Sequence, residues 1–250
     1  MHNASRISSA AGLQRRIRSI LWAVVAACAP LAWLVAARSP APVIRSLTYE
    51  DSFEQGKLSA WEFPFPKDWQ ILGEGPNHFL HMIRSRPPGV PRRPLQFALL
   101  RGPKVGSFAF RTRLRREGRS MIVVYNYVDT LHFNYVHLSV DRGAEQPVHN
   151  GIFIVDGVPR SRLAGTDAEP ALPDRDWHTV RIVRDAKSEL TEVFMDDSKR
   201  PLFSATAPQF SCGRLGIGSF DETGDFDDVQ LQSNDADCES QGILRPASVK

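Results

Sequence analysis

The sequence is short of the residues and motifs that mark many enzymes and nucleotide-binding chains. It has only three cysteines among 250 residues, and its histidines show no zinc-ligand spacing. It contains no phosphate-binding glycine loop and no Gly-x-Ser-x-Gly elbow. Long helices are not expected after the N-terminal segment, because the chain contains 18 prolines and 17 glycines, which interrupt it at short intervals. These absences argue against a nucleotide-binding enzyme, a serine hydrolase and a zinc protein.

An excess of basic charge is missing from most of the chain, although the formal net charge is +3. Arg6, Arg15, Arg16 and Arg18 precede the first acidic residue. Subtracting these four from the 31 basic residues leaves 27, against 28 acidic ones. A chain without a basic field has no general attraction for DNA, RNA or anionic lipid. We therefore predict no nucleic-acid partner.

The longest apolar run lies near the N-terminus and indicates where the protein is sent. Residues 20–37 read ILWAVVAACAPLAWLVAA, carry no charge and follow a short basic segment. Small residues at Val35 and Ala37 predict a signal peptide over residues 1–37 and a secreted or periplasmic protein. The alternative is an uncleaved membrane anchor, since the run approaches the roughly 20 residues that span a bilayer. In that case this segment is the only contact with the membrane.

Two cysteines remain once the N-terminal segment, which contains Cys28, is set aside. In an oxidising compartment Cys212 and Cys238 are expected to form a disulfide. In the chain-entropy account this bond stabilises the fold by about 3 kcal/mol.

Short apolar segments bounded by turn residues follow each other over residues 47–233 and predict an all-β domain. Residues 38–46 are expected to be a linker and residues 234–250 a C-terminal tail. The segments are rich in Val, Ile, Phe and Tyr and show no helical period. About a dozen strands in one domain fit two stacked antiparallel sheets. The predicted strands are 47–53, 69–72, 78–84, 95–101, 107–114, 121–127, 131–140, 151–156, 177–184, 190–195, 202–205, 213–220 and 226–232.

Alternation along these strands assigns side chains to faces, because successive residues of a strand point to opposite sides. Phe108 and Phe110 are expected in the core, which turns Ala109, Arg111 and Arg113 outward. If the three middle strands are neighbours, one open face presents aromatic and basic side chains together. The predicted ligand-binding residues on that face are Arg111, Arg113, Tyr125, Tyr127, Tyr135 and His137.

Several short motifs, in order and spacing, resemble the concanavalin A-like lectin/glucanase superfamily, especially its laminin G-like and 3-keto-disaccharide hydrolase-type domains. The motifs are YEDSF at 49–53 followed by Trp61 and Trp69, DTLHFNYVHL at 129–138, WHTVRIVR at 177–184, FMDD at 194–197, GRLGIG at 213–218 and FDDV at 226–229. The resemblance implies an antiparallel jelly-roll sandwich. It also implies a poly- or oligosaccharide ligand on the concave sheet. The apolar run at residues 20–37 is expected to precede the sandwich as a hydrophobic leader helix.

The predicted face has the side-chain types that sugars need, since their apolar ring faces stack on aromatics and their hydroxyls take hydrogen bonds. Arg111 and Arg113 add cations for a carboxylate or sulfate on an acidic glycan. An exported carbohydrate-binding domain is therefore the primary prediction. The structural alternative is that the tyrosines only cover the sheet, with their hydroxyls in water.

Two other function classes stay open. One is a polysaccharide lyase or glycoside hydrolase acting on an acidic or oxidised glycan, because Arg111, Tyr135 and His137 are of suitable types for lyase chemistry. A retaining glucanase is disfavoured, since no carboxylate pair at strand spacing lies on the predicted concave strands. The other class is an extracellular adhesion or scaffold domain with a protein partner.

Calcium is the predicted structural metal, because residues 221–228 carry five acids in eight positions and Ca²⁺ prefers oxygen ligands. In related sandwiches the first strand pairs with the last. That pairing is expected to bring Glu50 or Asp51 beside Asp228, and Asp51 and Asp228 are the predicted metal ligands. The alternative is a solvated acidic hairpin.

Overall fold

The computed structural model describes residues 46–142, 149–165 and 169–234, together with Cys238. These residues belong to one compact unit, 42–250. Among them, no helix has the length and apolarity needed to cross a membrane. The predicted signal peptide or anchor at 1–37 lies outside the described residues, as do most of the predicted linker and tail.

Fifteen strands form two antiparallel sheets, and the only helical element in the described ranges is one 3₁₀ turn, Pro66–Asp68. The seven-stranded sheet has the order β10 (Ser161–Ala164), β9 (Gly151–Asp156), β8 (His132–Ser139), β7 (Ser120–Asp129), β14 (Arg214–Ser219), β5 (Gln96–Leu100), β2 (Trp61–Glu62). The eight-stranded sheet has the order β13 (Phe203–Thr206), β12 (Leu190–Met195), β11 (His178–Asp185), β6 (Phe108–Arg116), β15 (Gly224–Ser233), β4 (Asn77–Met82), β3 (Trp69–Glu74), and β1 (Leu47–Asp51) also pairs with β15.

The predicted all-β fold of two antiparallel sheets is confirmed, and every predicted strand has a counterpart. The prediction missed two short strands, β2 and β10. β2 has two residues, too few to show alternation. β10 is an edge strand that contacts β9 alone in its sheet and begins with Ser161 and Arg162, so it lacks an apolar pattern.

The main core lies between the two sheets. Phe110 and Ile182 enter it from the eight-stranded sheet, and Val123, Val136 and Ile217 from the seven-stranded sheet. These side chains follow the predicted alternation, with every second residue of a strand facing inward. Removing such apolar surface from water is the main term that stabilises the sandwich.

A second apolar cluster covers the outer face of the seven-stranded sheet. This outer cluster consists of Phe97, Leu99, Ile122, Val124, Phe133, Tyr135, Phe153, Val155 and Phe220. All but Phe220 lie on strands, at positions that alternate with the residues of the main core. Antiparallel sandwich sheets commonly expose a polar outer face to water. Here that face is buried, so the loops that cover it become part of any site built on it.

The disulfide prediction is confirmed. Cys212, just before β14, is bonded to Cys238, which follows β15, and their Cα atoms are 6.0 Å apart. The bond ties the segment after the last strand to the beginning of β14.

Candidate functional site

The six residues predicted to share one face are divided between the two sheets. Arg111 and Arg113 lie on β6 of the eight-stranded sheet, whereas the tyrosines and His137 lie on β7 and β8 of the other sheet. β6 and β7 are consecutive in the chain, but they pair with different strands: β6 with β11 and β15, β7 with β8 and β14. The short turn after β6 therefore crosses between layers. The expected common face of arginines and tyrosines is not formed.

The two tyrosines of β7 also separate, because a bulge interrupts the strand between them. Asn126 has a positive φ of 50°, and the register between β7 and β8 shifts after Tyr125. An extra residue at a bulge reverses the alternation beyond it. Tyr125 consequently faces the main core, while Tyr127 packs on the outer cluster, with its ring 5.7 Å from that of Phe97.

Tyr135 and His137 are brought together as predicted, two positions apart on the outer face of β8. The Tyr135 ring stacks on Phe153 at 5.1 Å, and the His137 ring stacks on Phe220 at 5.7 Å. Both side chains are almost completely buried. They therefore belong to the packed outer cluster and do not form an open platform.

Arg160 joins these two residues from the turn between β9 and β10. Its Nη1 donates to the Tyr135 hydroxyl at 2.8 Å and lies 3.1 Å from His137 Nδ1. Its guanidinium lies 4.2 Å from the Phe220 ring centre, in the geometry of a cation–π contact. Sequence reasoning missed Arg160, because nothing in a turn sequence shows which strand residues it covers.

His137 has one ring nitrogen without a partner. Since Nδ1 accepts from Arg160, the neutral ring carries its proton on Nε2, an assignment that follows from the hydrogen-bond pattern. Nε2 is buried and has no hydrogen-bond partner in the described part of the chain. Burial lowers the pKa of His137 well below its usual 6.5, and the nearby Arg160, His149 and Arg92 lower it further. The residue is thus a neutral imidazole with an unused N–H.

His137 lines a cavity of about 180 Å³ on this outer face. Arg92, Arg119, Phe220 and the acidic pair Asp221 and Glu222 line the same cavity. Pockets for drug-sized ligands begin at roughly 300 Å³. The cavity therefore suits one small ring or a terminal group.

One wall of the cavity is held by a buried carboxylate. Asp141 is 5% exposed, and it pairs with both Arg119 and His149. The His149 ring lies 5.5 Å from the His137 ring and lines the cavity. Asp141 thereby fixes two cavity side chains that come from different loops.

Arg92 reaches the cavity from the Pro/Arg-rich loop between β4 and β5. Its guanidinium lies 4.9 Å from the Phe220 ring centre. Contacts to neighbouring turns help to hold the loop: Arg93 Nε donates to the Thr130 carbonyl at 2.8 Å, and the Arg160 amide donates to the Arg92 carbonyl at 2.9 Å. The prolines and arginines of this segment identify it as a loop in the sequence. They do not show which face of the sheet the loop covers.

The opposite outer face, on the eight-stranded sheet, also carries arginines beside an aromatic ring. Arg113 and Arg115 lie 4.9 and 4.7 Å from the centre of the half-buried Trp177. Arg113 pairs with Asp228 at 3.3 Å, and Arg115 pairs with Asp225 at 2.8 Å. Neighbouring acids already balance both charges, so this face offers a ligand less unsatisfied charge than the cavity does.

The predicted pairing of the first and last strands is present, with Asp51 opposite Val229 and next to Asp228. Asp51 already accepts hydrogen bonds from the Tyr49 hydroxyl, the Trp61 indole and the Phe53 amide, each at 2.9 Å. The described residues contain no group of three or more metal-binding side chains. Ca²⁺ takes six to eight oxygen ligands, so the carboxylates of Asp51 and Asp228 alone would not complete its coordination. A calcium site at Asp51 and Asp228 stays a prediction.

No family profile matches the chain, and no curated protein matches it in sequence. Solved structures that resemble it in fold include a carbohydrate-binding module, a lectin and a xylosidase. Carbohydrate-binding module CBM66 from Bacillus subtilis is 15% identical with a TM-score of 0.50, over 70% of this chain and 96% of the module. Winged bean acidic lectin, complexed with methyl-α-D-galactose, is 10% identical with a TM-score of 0.52, over 76% and 99%.

Xylan β-1,4-xylosidase from Bacillus halodurans C-125 is 12% identical with a TM-score of 0.52, over 74% of this chain but only 39% of the enzyme. At these identities the likenesses show the fold alone. The shared fold is a sandwich of two antiparallel sheets, as the sequence predicted.

Proposed function

We propose that the protein is a carbohydrate-binding domain, and that it holds one sugar residue in the cavity beside His137. The observation that carries this proposal is the buried Nε2–H of His137, which has no partner and belongs to a residue lining the cavity. The fold supports the choice of ligand class, because similar structures include a carbohydrate-binding module and a lectin complexed with a galactoside.

A buried donor without a partner costs roughly 1–3 kcal/mol. A ligand oxygen that accepts from Nε2 removes this cost, so the free protein is poised to gain energy on binding. A sugar hydroxyl is such an acceptor, and Asp221 and Glu222 are carboxylates that accept from other hydroxyls. The cavity thus offers both hydrogen-bonding roles that a polyhydroxylated ring needs.

Binding is favoured over turnover by the protonation states at the site. Burial raises the pKa of Tyr135, and the opposing effect of Arg160 does not cancel the rise. A general base works best with a pKa near the operating pH. The pKa of the Tyr135 hydroxyl is raised away from that range, so the group stays a neutral phenol. The pKa of His137 is lowered away from it, so the ring does not become an imidazolium.

We also propose that the domain lies outside the cytoplasm. The disulfide between Cys212 and Cys238 supports this, because such bonds persist in oxidising compartments. The apolar run at residues 20–37 supports it as the export signal or anchor. A place among the laminin G-like domains is the finer part of the proposal and rests on the sequence motifs.

A glycan array followed by calorimetry on the full chain tests the site through two variants of one residue. His137→Asn keeps an amide near Nδ1 for Arg160 but does not reach the cavity, whereas His137→Gln is long enough to place a donor near Nε2. We expect His137→Asn to weaken sugar binding by about tenfold or more, as the loss of one buried hydrogen bond implies. We expect His137→Gln to recover much of the affinity.

Arg111→Ala is the matched control, because Arg111 lies on the other sheet. It should leave affinity unchanged. Equal loss in both His137 variants with unchanged folding, or a larger loss in Arg111→Ala, would contradict a site at the cavity. The absence of any sugar ligand would contradict the proposed function itself.

A further inference from the structure

The charges around the outer cluster are not balanced equally. Arg119 and His149 share the carboxylate of Asp141. Arg92 and Arg160 instead both lie over Phe220, and neither forms an ion pair with any described carboxylate. The Arg92 guanidinium therefore lines the cavity without an ion-pair partner among the described carboxylates. The Arg160 guanidinium lies behind it, against the lining residues His137 and Phe220.

The electrostatic environment of His137 reflects this imbalance. Besides burial, the groups that lower its pKa are Arg160, His149 and Arg92, all of them cationic or able to become so. A site with this potential favours an anion over a neutral group. The unpartnered Nε2–H, in a residue only 2% exposed, is a donor at the same place.

The acids of the cavity reduce this potential only in part. Asp221 is exposed to solvent, and water screens exposed charges. Burial raises the pKa of Glu222, and its neighbour Asp221 raises it further, so this carboxyl carries its charge less readily than usual. Both acids come from the turn after Phe220 and are acceptors for hydroxyl groups.

We propose, building on the proposed function, that the sugar held in this cavity is acidic. Its carboxylate accepts from His137 Nε2–H and from the guanidinium of Arg92, while Asp221 and Glu222 accept from ring hydroxyls. Arg160 stays bonded to Tyr135 and His137 and acts as a positioning residue, because it fixes which nitrogen of His137 carries the proton. The ligand class is thus a uronic acid residue at the end of a glycan.

Calorimetry with small methyl glycosides on the full chain separates charge from shape. The probes are the methyl glycosides of glucuronate and galacturonate, their neutral parents glucose and galactose, and a 6-sulfated galactoside. One charge-assisted hydrogen bond is worth roughly a 10- to 100-fold change in affinity. We expect glucuronate or galacturonate to bind about 10- to 100-fold more tightly than its neutral parent, and also more tightly than the sulfated galactoside. Sodium acetate alone should bind weakly, since it lacks the ring.

Arg92→Gln tests the predicted contact, and Arg181→Gln is its matched control. Arg181 also stacks on an aromatic ring, 3.8 Å from the centre of Phe194, but on the other sheet. Arg92→Gln should reduce uronate affinity about tenfold or more and change the affinity for the neutral parent by less than about twofold. Arg181→Gln should change neither.

Two sets of results would overturn the inference and leave the proposed function standing. In the first, neutral sugars bind as tightly as uronates. In the second, Arg92→Gln weakens both classes equally or neither class. Tighter binding of the sulfated probe would assign the site to sulfate esters instead of carboxylates. If no sugar binds at all, the inference and the proposed function both fail.

Discussion

The His178 side chain bridges two acidic residues, Asp174 before its strand and Asp196 after the next one, and its protonation affects both contacts. Its Nε2 lies 2.9 Å from Asp174 Oδ1, and its Nδ1 lies 3.1 Å from Asp196 Oδ2. Burial lowers the pKa of His178, but the hydrogen bonds and charges of Asp196 and Asp174 outweigh it, so that the pKa is raised above 6.5. The protonated ring donates to both carboxylates, whereas the neutral ring can donate to one.

A raised pKa in the folded state predicts how this contact depends on pH. The stabilisation is fully present below the unfolded pKa of about 6.5 and is lost as pH rises through the folded value. We expect His178→Gln to lower the melting temperature more at about pH 5.5 than at about pH 8. Thermal unfolding of both proteins at the two pH values measures this. A difference that grows with pH would contradict the assignment.

The sequence correctly predicted the relative placement of two side chains where they lie on the same uninterrupted strand. Alternation was enough to place Tyr135 and His137 on the same side of β8 and opposite Val136. It was not enough for Arg92 and Arg160, since both lie in loops whose position depends on tertiary contacts. The cavity therefore combines predicted residues with others that no local pattern marks.

At the scale of the element, the bulge in β7 shows why the face of a strand can be misassigned. The residue types around Asn126 fit a continuous strand, and the interruption is visible only in the pairing with β8 and β14. The Asn126 side chain explains its stability, because Nδ2 donates to the Phe210 carbonyl at 2.6 Å and to Asn134 Oδ1 at 3.1 Å. Phe210 is 84 positions away in the sequence, so local alternation could not show this contact and wrongly placed Tyr125 beside Tyr127.

Strand β14 lies close to β5, and its glycines allow this approach. A Cβ at Gly218 would lie 2.3 Å from the Gln96 carbonyl oxygen and 2.6 Å from Phe97 Cα, both backbone atoms. Gly218→Ala should therefore reduce the free energy of unfolding by about 1–3 kcal/mol, as overpacking does. Gly102→Ala is the control, because a Cβ there meets nothing within 4 Å. Denaturant unfolding compares them, and equal stability of the two variants would contradict the close contact.

At the scale of the whole molecule, the sequence was sufficient to predict two stacked sheets. It was not sufficient to predict which strands belong to which sheet. Val, Ile and Phe in short alternating segments can bury one face only by stacking two sheets, which made the sandwich predictable. The partition of β6 and β7 into different sheets depends on long-range pairing, such as β6 with β15. That partition decided which predicted site residues meet.

The disulfide and the cavity lie at opposite ends of β14, since Cys212 precedes the strand and Phe220 follows it. Replacing Cys238 by Ser should reduce the free energy of unfolding by about 3 kcal/mol, because the bond closes a long loop of the unfolded chain. Sugar affinity should not change below the melting temperature. Denaturant unfolding and calorimetry on the same variant measure both quantities, and a loss of affinity in the folded variant would contradict the separation of the two regions.

The most direct measurement of the central claim is a crystal structure of the protein with its best-binding sugar. We expect a sugar oxygen within hydrogen-bonding distance of His137 Nε2, in the cavity on the outer face of the seven-stranded sheet. A sugar bound on the eight-stranded sheet, beside Arg113 and Trp177, with the His137 cavity empty would contradict it.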